Sequence, residues 1–166
     1  MATGFYTNKI YLEHDTGNHP ENADRLRAVD HHLRHSGLWN KLAVRPGRTA
    51  ELKEIAMLHS KRYIDSVQEA VELGRGTLGT PDCVISPGTF GAALHAVGAV
   101  LDSVCQVAEG KLDNAFCAVR PPGHHAEHDS AMGFCFFNNV AIAAEFLRKN
   151  LRYQRILIFD FDVHHG

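Results

Sequence analysis

Two hydrophobic periods alternate along the chain. Leu26, Val29 and Leu33 recur at helical spacing from about Ala23 to Arg34, and Gly37 marks the stop. Thr49 is placed to cap a short helix running through Met57, and Tyr63, Val67, Ala70 and Val71 repeat the helical stripe up to Gly74. Ser86 and Pro87 read as an N-cap and a first helical proline for a long helix reaching about Glu109, with Phe90, Ala93, Leu94, Val97, Leu101 and Val104 on its inner face. A last helix starts at Asn138 or Asn139. It carries Val140, Ala143, Ala144 and Leu147 on one side and ends on Arg148 and Lys149, where cations suit the helix dipole.

Short apolar runs of strand length separate these stripes: Phe5 to Tyr11, Leu42 to Val44, Ala115 to Val119 and Ile156 to Phe159. The last two have no polar alternation, which predicts strands buried on both faces. Gly74 to Asp82, rich in glycine and threonine, reads as a loop of the kind that rims a site. The order strand, helix, strand predicts an α/β fold with a parallel sheet, so the loops after Val119 and Phe159 emerge on the same edge. No internal repeat or linker divides the chain.

Composition narrows the partners. At 166 residues, 45% hydrophobic and 22% charged, the chain fits one globular domain. A net charge of −2 supplies no basic footprint for direct nucleic-acid binding. No run approaches the roughly 20 apolar residues of a membrane span, so no membrane partner is expected. Cys83, Cys105, Cys117 and Cys135 are widely spaced among apolar neighbours and read as free thiols. With no targeting pattern at Met1, the expected location is cytoplasmic, or nuclear in a eukaryote. His31, His32 and His35 share a polar helix and are expected at the surface.

Chemistry concentrates beyond the last two apolar runs. In an extended Ile156–Gly166 segment, Asp160, Asp162 and His164 point the same way, and a carboxylate with an imidazole two residues on suits zinc. After Val119, Arg120, Pro121, Pro122 and Gly123 stiffen the path into His124 and His125. On the same sheet edge, that pair becomes a candidate for acid and base work near a metal-activated water, with Asp160 setting the tautomer of one imidazole. The rival assignment makes both histidines metal ligands. Adjacent side chains on extended backbone diverge, which disfavours it.

Together these stretches resemble the histone deacetylase superfamily, particularly its class II and bacterial deacetylase-like branch. The resemblance rests on Arg120-Pro-Pro-Gly-His-His125, Gly133-Phe-Cys135, Asn138-Asn-Val-Ala-Ile-Ala143 and Asp160-Phe-Asp-Val-His-His-Gly166. Weaker echoes are His19-Pro-Glu21 with Arg25-Leu26, the His59–Tyr63 segment and Ser86-Pro-Gly-Thr-Phe90. It implies a three-layer α/β/α fold with a mainly parallel sheet, arginase/deacetylase-like, in which residues 1–166 form the N-terminal part of a single domain. It also implies a zinc-dependent amide hydrolase acting on an acetylated lysine side chain or an acetylated small amine.

In that likeness Asp162 and His164 are zinc ligands, and His124 and His125 serve the attacking water and the leaving amine. Asp160 orients the first histidine and helps hold a structural monovalent cation such as K+. Gly133 and Phe134 form the wall of a narrow acyl-lysine channel. Arginases use two metals, but Gly166 stands where their next aspartate would be, which favours one metal. A third zinc ligand and the oxyanion-stabilising tyrosine are expected on later sequence, so the chain is expected to be an incomplete and weakly active or inactive part of a longer enzyme. Its open sheet edge would favour homo-oligomers. Two other classes stand beside the enzyme: a non-catalytic deacetylase-like binding module, and a magnesium phosphoryl-transfer site built on Asp160 and Asp162. The latter lacks a glycine-rich phosphate loop with lysine.

Overall fold

The computed structural model describes residues 1–166. Strand β1 (Thr3–Tyr6) passes through a 3-10 turn at Lys9–Leu12 into helix α1 (Asp24–His35). Strand β2 (Leu42–Arg45), the one-turn helix α2 (Leu52–Ile55) and helix α3 (Lys61–Glu72) follow. Strands β3 (Thr77–Leu78) and β4 (Thr80–Val84) precede helix α4 (Thr89–Ala108), strand β5 (Asn114–Cys117) and helix α5 (Asn139–Lys149).

β1 is the central strand of a parallel sheet in the order β2-β1-β5, and the registers run from Thr3 opposite Leu42 and Asn114 to Tyr6 opposite Arg45 and Cys117. Alternation along β1 sorts its side chains between two layers. Tyr6 is buried with Ala99 of α4 and with Leu112, whereas Phe5 turns onto Trp39 and stacks on Phe116. Arg34 of α1 lies 3.6 Å over the Trp39 ring. The α/β class with a parallel sheet expected from the pattern is what the chain forms.

α4 lies at the centre because its small residues admit close neighbours. Ala92, Ala93, Ala96, Gly98 and Ala99 are all buried, and Gly98 lies so close to the backbone of Arg48 and Ala50 that a β-carbon would overlap it. Val97 and Leu101 join Ile55, Tyr63, Val67, Phe136, Phe137 and Ile142 in the main core. By length and mean hydropathy (1.4) α4 alone passes for a membrane span, which the apolar-run count had not suggested; 44% of that window is buried within the domain.

Several expected elements differ for identifiable reasons. The first strand ends at Tyr6, because Asn8 caps the 3-10 turn through its side chain. α2 is capped by a Glu51–Glu54 box, while the Thr49 hydroxyl bonds His95 instead. The glycine-rich Gly74–Asp82 stretch forms β3 and opens β4 of an antiparallel ribbon that runs on to Val84, with a register shift at Thr77 and Leu78. The Ser86 hydroxyl accepts from the Asp15 amide and donates to the Glu13 carbonyl, which takes it away from capping. α1 buries none of its residues, so its apolar stripe rests at the surface of the core. β5 is half exposed, with Phe116 open to solvent beyond its contact with Phe5.

The largest difference is at Ile156–Phe159, which forms no strand. Leu157 is 89% and Phe159 80% exposed. A strand needs a neighbour for its backbone groups. β1 occupies one edge of β5, and the other edge of β5 does not bond to this segment.

Candidate active site

The loop leaving β5 is clamped along its length by the start of α5. Asn138 caps that helix through the Ala141 amide, and its side-chain amide donates backwards to the carbonyls of His124 (3.4 Å) and Ala126 (3.2 Å). Asn139 donates to the Pro121 carbonyl at 3.4 Å. Gly123 fits because nothing else would: a β-carbon there would lie 2.6 Å from the Asn139 nitrogen and 2.7 Å from the Phe137 oxygen. Behind this clamp His59 is buried, accepting the Asn138 amide at Nε2 and facing the His128 carbonyl with Nδ1. Burial pushes its pKa down, which keeps it neutral.

His124 and His125 lie in a turn, not on extended backbone, so their rings do not diverge. The centroids are 4.0 Å apart. His124 donates Nδ1–H to Asp160 at 2.8 Å. That bond, together with the Asp162 amide donating to the other Asp160 oxygen at 3.0 Å, holds the Asp160 carboxyl below its usual pKa. Next along, Asp162 accepts both the amide and the ring N–H of His164 at 2.9 Å, and these two bonds lower its pKa as well. The His164 ring centroid is 6.1 Å from that of His125. The sequence therefore brings five expected residues into one cluster, although Ile156–Phe159 is not the buried strand expected to present three of them.

Gly133 and Phe134 occupy the centre of a tight turn closed by Met132 and Cys135, which exchange backbone hydrogen bonds at 2.9 and 3.2 Å. Both have positive φ, 53° and 70°, the geometry of a type I′ turn. Gly133 passes so close over the His125 ring that a β-carbon would overlap it. Phe134 holds a conformation that costs an ordinary L-residue about 1–2 kcal/mol. Its ring meets the edge of His19 at 4.5 Å, so the first loop reaches the site through His19. A cleft of about 380 Å³ lies behind the cluster, between Pro122, Gly123, Val140 and Phe161.

Some supporting residues were not legible as such. His14, Glu21 and His59 support the loop at a distance, and the Asn138 side chain bonds it directly. The available signal was the lone Arg120 set between an apolar strand and two prolines, which has to find a buried partner. No three His, Cys, Asp or Glu side chains converge as a metal-binding group. Asp162 and His164 form a two-donor pair.

Comparison with known proteins bears on this geometry. The model of the histone deacetylase domain matches residues 19–166. Human histone deacetylase 9 is 40% identical over 99% of the chain, and Arabidopsis thaliana histone deacetylase 5 is 39% identical over 98%. The chain spans 19% and 26% of those two proteins. Among solved structures, the HDA15 HD domain superposes with a TM-score of 0.79 at 32% identity, covering 87% of this chain and 42% of that one.

Proposed function

The chain belongs to the histone deacetylase family, and on that premise we propose that its clustered loops serve a zinc-dependent amide hydrolase acting on an acetylated lysine side chain or acetylated small amine. The observation carrying this is the 2.8 Å bond from His124 to Asp160, which ties the two chemistry-bearing loops together. Asp162 and His164 fit zinc by donor type, a carboxylate and an imidazole, and would hold it once the ring N–H that now bonds Asp162 is given up. When bound, zinc supplies a Lewis acid that polarises the acetyl carbonyl and acidifies water.

The chain's own residues do the rest. Asp160 fixes His124 as the Nδ1–H tautomer, which leaves Nε2 free to exchange a proton with the leaving amine. His125, its ring against Gly133, is the general base that takes the proton of the attacking water. Gly133 and Phe134 present a smooth wall to the acyl-lysine stem. In this reading Asp160 also contributes to a structural monovalent cation site.

The test is hydrolysis of an acetyl-lysine reporter by zinc-loaded protein, assayed alone and after mixing with the remaining part of a relative's deacetylase domain. Turnover is expected to fall by about 100-fold or more in His125→Ala, while zinc content stays constant. Unchanged turnover in that variant would remove His125 from the mechanism. Peptide binding without release of acetate under every condition would favour a non-catalytic binding module.

A further inference from the structure

The largest fully buried side chain in the molecule, Arg120, is not at the site but behind it. Arg120 and Glu21 are each 2% exposed, and they meet as a bidentate pair, Nε to Oε1 at 2.5 Å and Nη2 to Oε2 at 2.9 Å. The third guanidinium nitrogen, Nη1, donates to the Tyr11 carbonyl at 2.8 Å. His14 stands on the far side of Glu21, its Nε2 3.6 Å from the carboxylate and its Nδ1 2.8 Å from the Thr89 hydroxyl. The exposed Arg25 approaches Glu21 at 3.9 Å.

A buried ion pair is a poor way to gain stability, because desolvation offsets most of its attraction and an apolar pair of like volume often does as well. What a fork-on-carboxylate pair provides is direction. Arg120 Nε and Nη2 fit the two Glu21 oxygens in one orientation, and a lysine ammonium would not reproduce it. Arg120 is also the residue from which Pro121, Pro122 and Gly123 lead to His124. Two prolines leave that connection little freedom, and Asn138 and Asn139 hold its other end. A tilt of the guanidinium is therefore passed along a stiff strut to the imidazoles.

We propose that Glu21 is a positioning residue for the tandem histidines, acting through the bidentate fork of Arg120 to set where the His124 and His125 rings sit. The proposal rests on the amide-hydrolase reading for its catalytic consequence, but not for its geometric one. Glu21 touches neither histidine.

Two measurements separate these levels. In the zinc-loaded protein, Glu21→Asp keeps the charge and shortens its reach, and Arg120→Lys keeps the charge and removes the fork. Both variants are expected to lower kcat by about 10- to 100-fold with KM within about twofold, as displacement of a catalytic group does. In the 166-residue chain, the ring nitrogen resonances of His124 and His125 are expected to shift, and the amides of Gly123 to Ala126 to exchange at least about tenfold faster. Glu21→Gln serves as a third variant, and if it fails to fold, the two charge-retaining changes carry the test. Folded variants with wild-type ring resonances and wild-type exchange would overturn the proposal, as would lowered stability with unchanged kcat per folded molecule. If zinc-loaded wild-type protein mixed with the remaining part of a relative's deacetylase domain never turns over the reporter, the amide-hydrolase reading fails, and the resonance and exchange data decide the positioning role.

Discussion

The two loops that meet at the site are built to different standards. Arg120–Ala126 is fixed by a buried ion pair at its entrance, by two asparagines along its length and by a glycine contact too close for any side chain. Ile156–Gly166 has neither the ion pair nor the asparagine clamp, and its one close glycine contact, at Gly166, is with the Asp160 and His124 side chains and not with core backbone. Its apolar side chains face solvent, its hydrogen bonds to Asp160 and Asp162 are local, and the His124–Asp160 bond is its polar tie to the rest of the fold. Both segments carry the residues that chemistry requires. Only the histidine loop has its geometry dictated by neighbours that cannot move without disrupting the core.

Substitutions that are alike in sequence should therefore differ in effect. Phe136 is fully buried, packs edge-on to His14, and its carbonyl accepts the Tyr63 hydroxyl at 2.7 Å. Phe136→Ala is expected to cost about 3–5 kcal/mol in urea unfolding. A smaller loss comes from acid. Burial, reinforced by the nearby Arg120 charge, pushes His14 down to about 4 from an ordinary 6.5. The unfolded chain then binds a proton that the folded one refuses, so stability is full above about pH 6.5 and falls as pH drops toward 4. The loss amounts to about 3 kcal/mol, and His59, also lowered by burial, adds in the same direction. Unfolding midpoints of wild type and His14→Gln at pH 7 and 4.5 check this, since the variant should show a shallower decline.

Asn138→Ala removes a helix cap and two bonds to the histidine loop, and is expected to cost about 1–2 kcal/mol with faster exchange at Ala126. Phe159→Ala closes the series. At 80% exposure it should move stability by less than about 0.5 kcal/mol. A cost near that of Phe136→Ala would mean that the terminal segment is packed after all, and would end the contrast.

The same contrast explains what the sequence disclosed. Asn138 and Asn139 announced the start of α5 because a cap is local chemistry, and the α4 stripe announced its buried face because periodicity is local too. The parallel sheet followed from the order of runs. Ile156–Phe159 was read as a buried strand from composition, but composition reports only what a segment can bury, not whether a neighbouring strand is there. Leu26, Val29 and Leu33 announced α1, which forms over Asp24–His35, but periodicity alone did not tell that the helix would bury none of its residues. The Gly74–Asp82 ribbon was hidden by its glycines, since strand pairing there depends on a partner a few residues away and not on apolar content. Candidate site residues stood out by type and spacing. Their supports did not, because Glu21 and Arg120 are 99 residues apart and only the fold brings them together.

Amide hydrogen exchange on the 166-residue chain tests the unequal construction of the two loops most directly. Ala126, bonded to the Gly123 carbonyl at 3.1 Å within the clamped loop, should be protected by at least about a hundredfold relative to a free peptide. Ile156 to Phe159 should exchange at nearly the free-peptide rate. Equal protection of the two segments would contradict the claim that one loop is preformed by the core and the other merely tethered to it.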